Sequence, residues 1–96
     1  MTHDRITVEK LEKDFATTLE ALHQVRKASH DLSRKKEAAD FLDMATRYYE
    51  DAKHFQEKRD WVLAHGALYY AHAWLDAGAR LGLFKVKDSR LFTVDD

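Results

Sequence analysis

A chain of 96 residues with 16 Lys and Arg, 17 Asp and Glu and six His has a net charge of −1. It offers no long-range field to draw in nucleic acid or an anionic membrane, and neither is expected as a partner. The length suits one domain that buries roughly 60–65% of its unfolded surface and leaves no material for a second. Cysteine is absent, which excludes disulfides and thiolate metal sites and fits the reducing cytoplasm, the expected location.

Met1 to Ile6 lack the apolar run of a secretory leader, so export is not indicated. Proline is absent and the three glycines, Gly66, Gly78 and Gly82, all come late, which makes long helices the default. The predicted fold class is all-α: an up-and-down three-helix bundle with a C-terminal extended tail. Helix one is placed at about 7–28, helix two at about 33–58, helix three at about 61–81 and the tail at 84–96. Thr7 caps helix one, whose inner stripe is Val8, Leu11, Phe15, Leu19 and Leu22. Either Asp31 or Ser33 opens helix two, where Ala38, Phe41, Ala45, Tyr48, Ala52 and Phe55 recur at spacings of three and four, widened by Leu42 and Tyr49. Glu57 to Asp60 is a tight connection, so helices two and three form an antiparallel hairpin with Asp60 as the next cap.

Helix three is the most apolar segment. One seam runs through Trp61, Ala64, Leu68, Ala71, Leu75 and Gly78, another through Leu63, Ala67, Tyr70, Trp74, Ala77 and Leu81. Two seams ask for two partners. Either helices one and two take one each, or a second chain takes one. The expectation is a homodimer, with Trp61, Leu68, Tyr70, Trp74, Leu81 and Phe92 as interface candidates. A membrane span is disfavoured by His65, His72, Asp76 and Arg80, since a central Asp or Arg costs roughly 2.5–3.5 kcal/mol each on insertion. Gly82 is read as a left-handed cap with Leu83 or Phe84 folding back. The tail has apolar Leu91, Phe92 and Val94 but no helical period, so it lies extended over the bundle or touches a partner.

His65, Tyr69, His72, Asp76 and Arg80 share an arc of about 80° on helix three and are the binding candidates. His72 and Arg80 each stand four residues from Asp76, within reach on a helix surface. The pattern fits an intrahelical Asp76–Arg80 ion pair with His72 bonded to Asp76 or a facing helix, and equally a site for a small ligand or a divalent metal. His65 and His72 are about 10.5 Å apart along the axis and do not easily share one ion. Further ligands would come from Glu50, Asp51 and His54 of helix two, whose stripe with Arg47 and Lys58 also reads as a solvated face. No metal or cofactor is assigned. The pairs Tyr48-Tyr49 and Tyr69-Tyr70 read as core with hydroxyls at the rim, or as an aromatic platform. With no Gly-rich phosphate loop, nucleophile motif or dinucleotide fingerprint, no catalytic residue is named.

Tyr48-Tyr49-Glu50-Asp51-Ala52, Asp60-Trp61 and Tyr70-Ala71-His72-Ala73-Trp74-Leu75-Asp76-Ala77-Gly78-Ala79-Arg80-Leu81-Gly82 resemble the archaeal domain of unknown function family 357. That resemblance implies an up-and-down three-helix fold in an archaeal cytoplasmic protein, with no established activity. Asp60-Trp61 with Ala64, Leu68 and Ala71 is similar to part of a tetratricopeptide unit, which implies helical-hairpin interaction chemistry. Arg59 followed by His65 resembles the short Arg-and-His motif of helical HEPN ribonucleases, which implies dimers acting on RNA phosphate. Here that Arg falls in a turn.

Overall fold

The computed structural model of the chain describes residues 7–94. The reading of Met1 to Ile6 and the last two tail positions, Asp95 and Asp96, fall outside them. Three helices, α1 (Val8–Lys27), α2 (Lys35–Glu57) and α3 (Trp61–Arg80), form the predicted all-α bundle, with a short 3₁₀ turn at Leu32–Arg34 leading into α2. Among the described residues there is no strand, only an isolated antiparallel bridge between His30 and Phe84.

Local chemistry sets the helix ends. Thr7 Oγ1 accepts from the Lys10 amide at 3.0 Å and Asp60 Oδ1 from the Leu63 amide at 3.2 Å, each satisfying an otherwise orphaned donor. Asp31 accepts from both the amide (2.9 Å) and the hydroxyl (2.7 Å) of Ser33. Asp31 therefore caps the 3₁₀ turn, and Ser33 lies within it. At the far end of α3, Gly82 takes φ 77°, its amide donates to Ala79 O at 3.0 Å, and the Leu83 amide reaches back to Gly78 O at 2.9 Å. This paired closure needs a left-handed residue, which glycine supplies without a Cβ penalty. Phe84 then folds over Gly78, where an added Cβ would overlap its ring.

The core is one cluster shared by all three helices and the tail. On α1 the buried line is Leu11, Phe15, Thr18, Leu22 and Val25. It is rotated slightly from the expected stripe, and Val8, 45% exposed, falls off its edge. Small residues of α2, Ala38, Ala45 and Ala52, share the core with Leu68 and Leu75 of α3, so large side chains fill the space that small ones leave. Leu68, expected at an interface between chains, is instead fully buried at the centre of the domain. The first seam of α3 is consumed by the common core.

The second seam divides. Trp74 packs edge-on against Phe41 at 4.9 Å, and Tyr70 against Tyr48 at 4.5 Å; Ala67 and Trp74 become half-buried. The surface left open is rotated away from α2 and opposite the core: Val62, Gly66, Tyr69, Tyr70, Ala73 and Ala77 are all exposed.

Beyond α3 the chain returns across the bundle. The Asp31 amide donates to Leu83 O and the Lys85 amide to Ser29 O, both at 2.9 Å, and Arg34 Nη2 donates to Leu81 O at 2.8 Å. The tail then turns at Asp88, whose carbonyl accepts from Leu91 and Phe92. Leu91 and Phe92 are buried. Phe92, also expected between chains, is 3% exposed, because the tail folds back on its own bundle.

Candidate functional site

The polar line on α3 faces α1 and the tail, and four of its five members can be followed from their partners. His72 Nε2 lies 2.6 Å from Leu91 O. A carbonyl oxygen only accepts, so Nε2 is the donor, and Nδ1 pairs with the Thr18 hydroxyl at 3.2 Å. Asp76 Oδ1 accepts the backbone amide of Thr93. His72 and Asp76 thus hold the two ends of a short tail segment; of the two partners expected for His72, the facing helix is met through Thr18 of α1, while a bond to Asp76 gives way to bonds with the tail backbone. The Phe92 ring lies against His72 at 6.5 Å.

His65 stands further up α3, its ring 4.1 Å from that of Tyr69 and its Nε2 3.5 Å from Asp14 Oδ2. That separation falls short of a formed hydrogen bond, and Nε2 is buried without a partner among the described residues. Asp14 also pairs with Lys10 Nζ at 3.2 Å, and the Asp14 carboxylate raises the Lys10 pKa above its ordinary value. Arg80 is exposed in the last turn of α3, bordering a groove with Phe84, Val86 and Val94. Between α1 and α3, Asp14, Thr17, Thr18, Tyr69, His72 and Asp76 line a cleft of about 320 Å³. Charged contacts continue along the tail: Arg90 bonds Glu20 at 2.7 Å and Asp88 at 2.9 Å, while Gln24 donates to Asp88 at 3.0 Å. The hydrogen bond from Arg90, then that from Gln24, holds the Asp88 carboxyl below its usual range.

The line is therefore a clasp for the tail. Thr18 was the signal available in the sequence, a hydroxyl at a core position of the α1 stripe, where a buried polar group calls for a partner. The acceptor and donor on the other side, Leu91 O and the Thr93 amide, are backbone groups and leave no trace in side-chain pattern. Among the described residues no three His, Asp or Glu side chains converge to hold a metal ion, and Glu50, Asp51 and His54 lie exposed on α2. Arg59 sits in the turn before α3 with φ 61°, whereas His65 packs beside Asp14. The tyrosines also part ways. Tyr48 meets Tyr70, Tyr49 packs on Phe15 at 5.8 Å in the core, and Tyr69 covers His65; burial pushes the Tyr49 hydroxyl pKa up.

The other interface candidates lie toward α2. Trp61 and Trp74 are half-buried against the core cluster, and the Trp74 indole N–H is buried without a hydrogen-bond partner among the described residues. Tyr70 is 46% and Leu81 53% exposed, close to Val62 at 72% and Leu63 at 50%. Tyr48, Phe55, Val62, Leu63, Gly66 and Tyr70 line an open groove of about 660 Å³ between α2 and α3. From Trp61 to Ala79 the face of α3 turned away from the core carries no formal charge. No helix among the described residues is long and apolar enough to cross a membrane.

A family model described as "Protein of unknown function (DUF357)" matches residues 13–84, from within α1 to Phe84. The tail beyond Phe84 lies outside that match. Comparison with curated proteins gives no match, and neither does comparison with solved structures.

Proposed function

The chain belongs to the DUF357 family of proteins of unknown function, and from that premise we propose that it is a protein-interaction module that self-associates as a homodimer through the outer face of α3. One observation carries this reading: the helix face opposite the core, where a solvated helix is normally polar, is apolar along its length, with Val62 72%, Leu63 50%, Tyr69 51% and Tyr70 46% exposed. Single exposed apolar residues are ordinary, but a contiguous patch on one face marks an interaction surface. A second copy is the simplest occupant, because isologous dimers are the commonest oligomers and aromatic side chains anchor interfaces. The absence of cysteine supports a cytoplasmic setting. His72 and Asp76 do not favour a ligand site, since their hydrogen bonds go to the tail.

The test is substitution on the face. Val62→Glu adds a charge to an exposed helical position, so helicity is expected to stay unchanged while sedimentation at micromolar concentration shifts from dimer to monomer. Glu12→Lys, on the exposed side of α1, is the matched control and should leave the mass untouched. Equal masses for all three proteins would contradict the reading.

A further inference from the structure

The net charge of −1 is a sum whose parts the fold separates. α1 ends, α2 begins and α3 ends at one end of the bundle, where His30 and Phe84 bridge the two flanking segments. Residues 24–37 and 77–87, which build this end, hold eight of the 16 basic residues and two of the 17 acidic ones. Eight basic and 15 acidic residues remain for the rest of the chain. With its 23 residues, α2 is about 35 Å long, roughly four times the Debye length of about 8 Å at physiological ionic strength. Acids at the opposite end, such as Glu9, Glu57 and Asp60, are therefore screened from whatever approaches the basic end. The local excess decides attraction there, not the total.

Two features show what this end is open to. Lys27, Lys35, Lys36, Lys85 and Lys87 are exposed, and among the described residues none of these five ammonium groups has a hydrogen bond or ion pair. Arg26, Arg34 and Arg80 already have partners, Thr46 for the first and Asp31 with the Leu81 carbonyl for the second. The second feature is apolar. Leu32 is 78% exposed, the most exposed large apolar side chain among the described residues, and Leu81 at the same end is 53% exposed. The 3₁₀ turn that carries Leu32 is pinned on both sides, by the Asp31 amide on Leu83 O and by Arg34 on Leu81 O. Its exposure is thus built into the fold.

We infer that this end is a docking surface for a bilayer rich in anionic phospholipid, with Leu32 entering the acyl boundary and the lysines meeting the headgroup phosphates. Lysine suits that place, because its long apolar stem lies along the boundary while its ammonium stays in water. A leucine tip has no counterpart on a nucleic-acid backbone. Single-stranded RNA is instead held by stacking on aromatic rings and Arg planes; no Phe, Tyr or Trp is exposed at this end and its arginines are engaged. The domain then rests on the surface without spanning it, in keeping with helices too short or too polar to cross. Every copy carries the surface, so the inference does not depend on self-association through the side of α3.

The test is flotation of the full chain with vesicles of phosphatidylcholine alone or with one-third phosphatidylserine. Binding is expected only to the anionic vesicles, and it should disappear as salt rises from about 0.1 M to about 1 M and the Debye length falls from about 10 Å to about 3 Å. Lys35→Gln combined with Lys36→Gln is expected to weaken binding about 25-fold, at about five-fold per lysine. Leu32→Ser, at an exposed position, is expected to weaken it severalfold with unchanged helicity. Lys13→Gln combined with Lys53→Gln changes the total charge equally, away from this end, and should leave binding as it was. No binding to the anionic vesicles overturns the proposal. So does an equal loss in the control pair, which would make the attraction one of total charge. Full binding by Leu32→Ser, or tighter binding to polyuridylate than to the vesicles, overturns the lipid reading and assigns the end to another polyanion.

Discussion

At the residue scale the decisive group is His72. Its side chain ties α1, α3 and the tail together, through Thr18 and the Leu91 carbonyl. Replacing it with Phe keeps the volume but leaves that carbonyl without its donor, at an expected cost of about 1–3 kcal/mol. A lower melting temperature with faster amide exchange at Thr93 is the expected outcome, whereas unchanged exchange would show that the tail holds by apolar packing alone. Asp31 provides a second handle. Bonds from the Ser33 hydroxyl, Arg34 and the Ser33 amide hold its carboxyl at about 2, against an ordinary 3.8. A depressed carboxylate contributes stability above its unfolded pKa that fades as the group is protonated. The contribution of Asp31 is thus full above about pH 4 and lost as pH falls toward 2. Melting curves of Asp31→Asn are expected to converge on those of the parent protein over that window and to lie below them at neutral pH.

At the scale of the element, α3 contains two glycines with opposite meanings. Gly66 opens onto free space and Gly78 is pressed by Phe84. Gly66→Ala is expected to stabilise the chain by about 0.5–1 kcal/mol through helix propensity. Gly78→Ala forces the Phe84 ring to move and is expected to cost about 1–3 kcal/mol. Denaturant midpoints measured at sub-micromolar concentration check both signs. The same helix shows what the sequence discloses. Thr7, Asp60 and Gly82 announce their ends because capping is local chemistry, and the seam through Leu68 and Leu75 is legible because burial leaves a helical period. The other seam misleads, since a helical period fixes which residues share a line but not the direction from which a neighbouring helix arrives. With α2 against Trp74 and Ala67, the open face moves round to Val62, Gly66 and Ala73. The tail was the least legible part. Leu91 and Phe92 have no period to read, and the groups that receive His72 and Asp76 are backbone atoms.

At the scale of the whole molecule, a three-helix domain of this size draws a sizeable share of its stability from a segment that is not helical. Truncation after Val86 removes the buried Leu91 and Phe92 and exposes their seats. The expected cost is about 3–6 kcal/mol at roughly 1.5–3 kcal/mol per buried side chain, a large fraction of the 5–15 kcal/mol typical of a domain. Loss of cooperative thermal melting would follow. The molecule then has two apolar surfaces with different fates, one sealed internally by the tail and the other, on α3, facing outward. The claim that the outward surface receives a second copy is tested most directly by the mass of the unsubstituted protein in solution at micromolar concentration. Sedimentation equilibrium or light scattering is expected to give twice the 11.2 kDa of the chain, falling toward the single value on dilution. A mass of 11.2 kDa at every accessible concentration would contradict it.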